Sequence, residues 1–236
     1  MSSRRVAEIL SVVTGGPDER AYLPTRLSAA CLSDLPVTGV GVALMTAAGP
    51  SGVVLAATDD RARQLEELQF ALGEGPCVES SGSGRPVLEP DLRLAGPARW
   101  PQFGAAVLDA GVQAIFAFPL RVGAIRVGVL DCYRDLPGPL AAADLADALA
   151  YAEAATVMVL HLQNHEGLLA PVDGRAEVHQ ATGMIAIQLG VGLAEALLRL
   201  RAHAYSSGRT VSAIAADVVR RRLSFDDSDA LGGSGS

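Results

Sequence analysis

Lysine is missing from this chain of 236 residues, so all 19 of its cations are arginine. With alanine and glycine abundant as well, the bias reflects genome base composition more than chemistry. Cysteine is scarce: Cys31, Cys77 and Cys132 lie far apart, without Cys-x-x-Cys or Cys/His metal-ligand spacing. A reduced compartment with buried thiols is the default for such a pattern, and no metal or cofactor is implied. No apolar run reaches the roughly 18 residues of a membrane span, and the N-terminal stretch lacks the hydrophobic segment of a signal peptide. The expectation is a cytoplasmic protein without a membrane partner. Gly39-Val40-Gly41 and Gly190-Val191-Gly192 lack the third glycine of a dinucleotide fingerprint. His161 and His165 sit on a helical pattern, but no kinase nucleotide-binding region or receiver-type acidic pocket accompanies them, which argues against a phosphoacceptor role.

What is present is an uneven charge distribution. Residues 175–225 hold seven arginines against Glu177, Glu195 and Asp217, a net charge of +4. Residues 1–174 hold twelve arginines against twenty acids, a net −8, and the last eleven residues add three aspartates. A small basic module appended to an acidic body is how a regulator presents a polyanion-binding head. The glycine- and serine-rich end, residues 226–236, reads as a flexible tail outside the fold.

Helical phase shows which sides of the basic segment are free. Val178, Ala181, Ile185 and Leu189 share one stripe, with Gln180, Gly183 and Ile187 opposite. Leu193, Ala196, Leu197, Leu200 and Ala204 form a second stripe, with Arg201 at its margin, and Ser206-Ser207-Gly208 ends that helix. Thr210 is placed to cap a third helix, whose inner residues are Val211, Ile214, Ala215 and Val218. Three such helices bury their stripes against one another. The pieces Gln180-Ala181-Thr182-Gly183-Met184-Ile185, Ala194-Glu195-Ala196-Leu197, Leu200-Arg201-Ala202-His203-Ala204 and Thr210-Val211-Ser212-Ala213-Ile214-Ala215 resemble, in order and spacing, the ANTAR domain of bacterial antitermination regulators. That resemblance implies an all-α three-helix module that binds RNA hairpins in nascent transcripts. It departs from the family at Thr182, where many members carry lysine, and at the uncapped Gly190-Val191-Gly192 turn. Guanidinium groups bind phosphates bidentately and hairpin loops splay their bases, so Gln180, Thr182, Gly183, Arg201, Arg209, Thr210, Arg220 and Arg221 are the expected RNA-binding residues.

Upstream, apolar strands at 39–46, 52–58, 86–89, 114–120 and 126–133 occur in neighbouring pairs with helical patterns between them, which argues for an α/β domain with a largely antiparallel sheet. Leu72-Gly73-Glu74-Gly75-Pro76-Cys77, Asp91-Leu92, Arg99-Trp100-Pro101-Gln102-Phe103, Ala117-Phe118-Pro119-Leu120 and Gly128-Val129-Leu130-Asp131 resemble a GAF sensor domain. The resemblance implies a six-stranded antiparallel sheet flanked by helices, often with a small-molecule pocket on one face, and names no ligand. Some GAF proteins reduce free methionine sulfoxide with cysteines, which makes a thiol-dependent reductase the enzymatic alternative. That chemistry needs a second thiol within reach of Cys77; a structural role for Cys77, and a core role for Trp100, is the expectation.

The resulting organisation is an N-terminal helical lead-in at 1–19, a GAF-like sensor domain at 20–166 ending in a long helix, a linker at 167–174, an ANTAR module at 175–225 and the tail. In the helix over 141–166, Leu145, Leu149, Ala152, Thr156 and Val159 or Leu160 approach heptad spacing, and the expectation is a homodimer seam. The function expected is that of an RNA-binding antitermination regulator with no enzymatic activity. A DNA-binding helix-turn-helix over 193–222 is the alternative, in which the outward Gln180 and Gly183 of the first helix would be idle.

Overall fold

Alternation of side chains along two long strands sets the architecture of the N-terminal part. In the computed structural model, which describes residues 2–15, 22–46, 49–164 and 175–225, five strands form one antiparallel sheet. They are β1 (Gly39–Thr46), β2 (Gly49–Ala57), β3 (Val87–Glu89), β4 (Ala114–Val122) and β5 (Ile125–Arg134), in the order β2-β1-β5-β4-β3. The sixth strand implied by the resemblance is not among the described residues. A two-residue loop joins β4 to β5 with Gly123 at φ 58°, the backbone that tight hairpins of this twist require. The chain divides into two compact units, 1–170 and 171–236. The expected linker, the expected tail and His165 lie outside the described residues.

Because strand side chains alternate, Phe116, Phe118, Leu130 and Cys132 enter one core, while Ile115, Ala117, Val129 and Tyr133 enter another. The first core is closed by α1 (Ser2–Thr14), α2 (Leu23–Asp34) and α7 (Ala142–Asn164). Val6, Ile9 and Val13 of α1 are buried there, so the expected lead-in is a structural member of the unit. Leu27 and Val159 are wholly enclosed, and removing each from water contributes about 1.5–3 kcal/mol. The Arg5 guanidinium ties the three helices at the rim, 2.8 Å from Asp34 on α2 and 3.0 Å from Asp147 on α7. By length and hydropathy Ala142–Gln163 qualifies to cross a membrane, which corrects the expectation that no such segment exists. Its buried face explains the composition: α7 packs on β4, β5, α1 and α2 as a core helix.

The second core lies under α3 (Asp60–Leu72), α4 (Pro76–Ser83), α5 (Leu92–Arg99) and α6 (Pro101–Asp109). Trp100 and Phe103 anchor it edge to face, at 6.3 Å and 87°, so Trp100 is a core residue. The Leu72–Cys77 segment is built from local needs. Gly73 ends α3 in the left-handed conformation at φ 66°, and Gly75 at φ 126° leaves room for Gln69, which a Cβ would meet at 2.7 Å. Glu74 Oε1 accepts the backbone N–H groups of Gln102 and Phe103, both at 2.7 Å, satisfying orphan donors at the start of α6. Pro76 opens α4, where a missing N–H costs nothing.

The C-terminal unit is three helices, α8 (Arg175–Leu189), α9 (Leu193–Ser206) and α10 (Val211–Val219). Val178, Ala181, Ile185, Ala196, Leu200, Ala204, Val211, Ile214, Ala215 and Val218 are buried, as their phases require. Leu193 is 63% exposed and leaves the expected second stripe, because it stands at the first position of α9, beyond the reach of its partners. Thr210 caps α10, its hydroxyl oxygen accepting the Ala213 N–H at 3.1 Å. Phe225 closes the core against His203 with ring centres 5.3 Å apart.

Candidate nucleic-acid interface

Gln180, Gly183 and Ile187 recur at helical spacing along the outer side of α8. Gln180 is exposed, and Ile187 is 84% exposed. A Cβ added at Gly183 would meet nothing within 4 Å, so this glycine does not exist to let a neighbouring helix of the unit approach. Thr182 corrects the expected contact set. It is buried, and its hydroxyl donates to the Val178 carbonyl at 2.7 Å, because position 182 falls beside the core stripe rather than outside it. Arg201 is half-buried, with its Nε and Nη2 shielded from solvent, and is not presented as the outer arginines are.

Arg220 and Arg221 flank the α8 strip from the end of α10. Arg220 reaches Glu177 at 3.5 Å. Arg221 lines a cavity of about 370 Å³ with Met184, Ile187, Gln188, Leu223 and Ser224. The chain there makes a Schellman turn: the Arg222 N–H bonds the Asp217 carbonyl at 2.7 Å, and the Arg221 N–H bonds the Val218 carbonyl at 3.0 Å. The turn needs a left-handed residue, normally glycine, and Arg221 occupies it at φ 56°. Helical periodicity carried no sign of this strain; the absence of a glycine between Val219 and Leu223 was the available signal. Arg209 stands apart, 2.7 Å from Asp217, which Arg222 approaches at 3.8 Å. The hydrogen bond from Arg209 foremost, then charge attraction from the neighbouring arginines, holds the Asp217 carboxyl below the usual carboxylate range. Of the expected residues, Gln180 and Gly183 lie along the outer side of α8, Arg220 and Arg221 meet α8 at Glu177 and at Met184, Ile187 and Gln188, and Arg209 and Thr210 stand just before α10.

In the N-terminal unit Cys31, Cys77 and Cys132 are all buried, and none of them is in a disulfide. Cys77 packs in the core under α3 to α6, whereas Cys132 and Cys31 lie together on the opposite face of the sheet, so Cys132 is not a resolving partner for Cys77. Asp131 is also enclosed in the sheet, and burial above all pushes its carboxyl up to about 6. Gln69 donates to its Oδ2 at 2.9 Å.

The ANTAR domain model matches residues 166–219, which span α8 to α10. No curated protein matches the chain. Among solved structures, the GAF domain of a phosphoenolpyruvate-protein phosphotransferase from Acinetobacter is similar at TM-score 0.53 and 9% identity, over 70% of this chain and 96% of that one. The GAF domain of the corresponding Coxiella burnetii protein is similar at TM-score 0.53 and 14% identity, over 69% of this chain and 95% of that one. A type II free methionine-R-sulfoxide reductase from Thermoplasma acidophilum scores 0.46 at 18% identity, over 61% and 96%. For the two phosphotransferase GAF domains the likeness is one of fold, and the five-stranded antiparallel sheet with helices on both faces agrees with it. The chain thus carries an ANTAR domain at its C-terminal end, behind a domain of the GAF fold.

Proposed function

We propose that this protein is a transcription antitermination regulator: the C-terminal unit binds stem-loop RNA in nascent transcripts, and the GAF-fold unit senses a small molecule whose identity the residues do not specify. The observation that carries the reading is the ANTAR match over 166–219, which coincides with a three-helix unit whose arginines crowd its end. Gln180 offers an amide to a base edge, Gly183 lets a ligand approach the α8 backbone, and Arg209, Arg220 and Arg221 supply phosphate contacts. A hairpin held this way competes with a terminator hairpin, so binding free energy becomes transcript read-through without catalysis. The DNA-binding alternative is weaker, because it leaves the outward Gln180 and Gly183 of α8 idle, and the open side of α10 offers Ser212, Ala213 and Ala216 with Arg220 only at its end.

The regulator is further proposed to act as a homodimer through α7. Ala152, Thr156 and Val159, expected at the seam, are buried in the unit's own core, which corrects the phase of that expectation. Of the expected seam Leu149, 45% exposed, and the half-buried Leu160 remain outward, joined by Val157, 46% exposed, with the exposed Glu153 between Leu149 and Val157. Pairing two copies would raise the effective concentration of the second RNA head once the first has bound.

The deciding experiment titrates the full chain against a hairpin RNA library and against duplex DNA at fixed salt. Saturable hairpin binding, weakened in Arg220→Ala with a smaller salt slope, is the expected result. Tighter binding to duplex DNA than to any hairpin overturns the reading.

A further inference from the structure

Three side chains of different chemistry converge inside the GAF-fold unit. Glu66 descends from α3, Cys77 sits in the first turn of α4, and Asp131 rises from β5; one ligand atom of each lies within 4.8 Å of the other two. All three are buried. Two carboxyl groups this close in a low-dielectric core cannot both stay ionised without a positive charge between them, whether a proton or a metal ion. Among the described residues no guanidinium or imidazole pairs with Asp131; its enclosed carboxyl has a hydrogen bond from Gln69 and one shared with Glu66.

The surroundings are arranged to hold this group rather than to dilute it. Gly41 of β1 stands directly across the sheet from Asp131, and a Cβ there would overlap Glu66 Oε1, so the glycine makes the space into which Glu66 projects. Gln69 orients two of the three groups at once. Its Nε2 donates to Asp131 Oδ2 at 2.9 Å, and its Oε1 accepts the Cys77 N–H at 2.7 Å. Amide partners that fix the orientation of ligands in this way accompany metal sites.

We propose that Glu66, Cys77 and Asp131 bind one divalent cation of borderline softness, with Zn²⁺ the best fit. One thiolate and two carboxylates suit zinc better than magnesium or calcium, which take oxygen alone. Contraction of the trio to bonds of about 2.0–2.3 Å would leave a fourth position open to water or to a small ligand. The cation would neutralise the carboxylates, take the place of the proton that Glu66 and Asp131 share and join α3, α4 and β5. This inference does not depend on RNA binding by the other unit.

The test uses the full chain, stripped of metal by a chelator and titrated with Co²⁺. One cation per chain should bind, with a thiolate-to-cobalt band in the near ultraviolet and visible bands of low coordination number, and Zn²⁺ should bleach both. Cys77→Ser, close in size, should lose the charge-transfer band and weaken Zn²⁺ binding by at least the about 10–100-fold that loss of an orienting partner costs. Gly41→Ala, by displacing Glu66, should weaken binding while keeping the band. Zinc-edge X-ray absorption on the wild type should find one sulfur and otherwise oxygen scatterers, a readout that survives if a variant fails to fold. No saturable uptake, a band that persists in Cys77→Ser, or a coordination shell with no sulfur or more than one, overturns the proposal.

Discussion

Arg221 offers the sharpest test of the C-terminal unit, because strain and charge can be separated there. A left-handed L-residue costs about 1–2 kcal/mol, and replacing it with glycine relieves that while adding about 0.4–1 kcal/mol of unfolded-chain entropy. Arg221→Gly should therefore stabilise α10 by about 0.5–1 kcal/mol net, whereas Arg221→Ala keeps φ 56° and should stay near the wild type. Hydrogen exchange of the α10 amides in the full chain reads this directly, as a slowing of roughly twofold to fivefold in the glycine variant alone. Both variants lose the same guanidinium. Each should bind hairpin RNA more weakly, with the salt slope reduced by up to about one. Glycine would then improve the fold and impair binding, the signature of a strained residue kept for a ligand. Wild-type affinity and slope in both variants would refute this and leave Arg221 as a turn residue only; faster exchange in the glycine variant would refute the strain argument.

Thr210→Ala should destabilise α10 by about 1 kcal/mol through loss of the Ala213 cap, seen as faster exchange in its first turn. Tyr133, pushed up to about 12 by burial and then by its hydrogen bond to Asp59, binds its proton more tightly when folded. Its contribution is present below the ordinary value of about 10 and lost as pH rises from there through about 12, so Tyr133→Phe should delete one late phenolate step from an absorbance titration. Leu149→Glu with Val157→Glu should give a smaller particle by light scattering and reduce affinity more for a two-hairpin target than for one hairpin; an unchanged dimer would place any interface elsewhere.

The helices of the C-terminal unit were legible because each buries one stripe at 3.6-residue spacing, and α8 and α9 end on the turn signals Gly190 and Gly208, both at φ 64°. Phase, however, assigns a direction and not a depth. Thr182 lies beside the stripe and is closed over, and Leu193 lies on it and is open. The same limit affects α7, whose apolar residues exceed one face: the heptad pattern mixed Ala152 and Val159, which serve the unit's own core, with Leu149, which does not. The Leu72–Cys77 segment was recognisable, but the reason for each residue was not, since Glu74 acts on α6 and Gly75 on Gln69, contacts that no local spacing encodes. For the same reason the meeting of Glu66, Cys77 and Asp131 had no sequence signal: their separations follow from sheet topology, and only Gly41 opposite Asp131 marks the place in register.

The Arg5 clamp carries an experimental consequence. Its contacts to Asp34 and Asp147 lie at a half-open rim, where dissolved ions screen charge over about 8–10 Å. Raising the salt therefore slackens the grip of α1 on α7 in the same range over which counterion release would weaken RNA binding. A salt slope measured on the whole protein would then contain two processes, one at the nucleic acid and one in the scaffold of the sensor. Arg5→Gln, which removes the ionic part of the clamp and leaves every C-terminal arginine in place, is the reference against which the phosphate count should be taken.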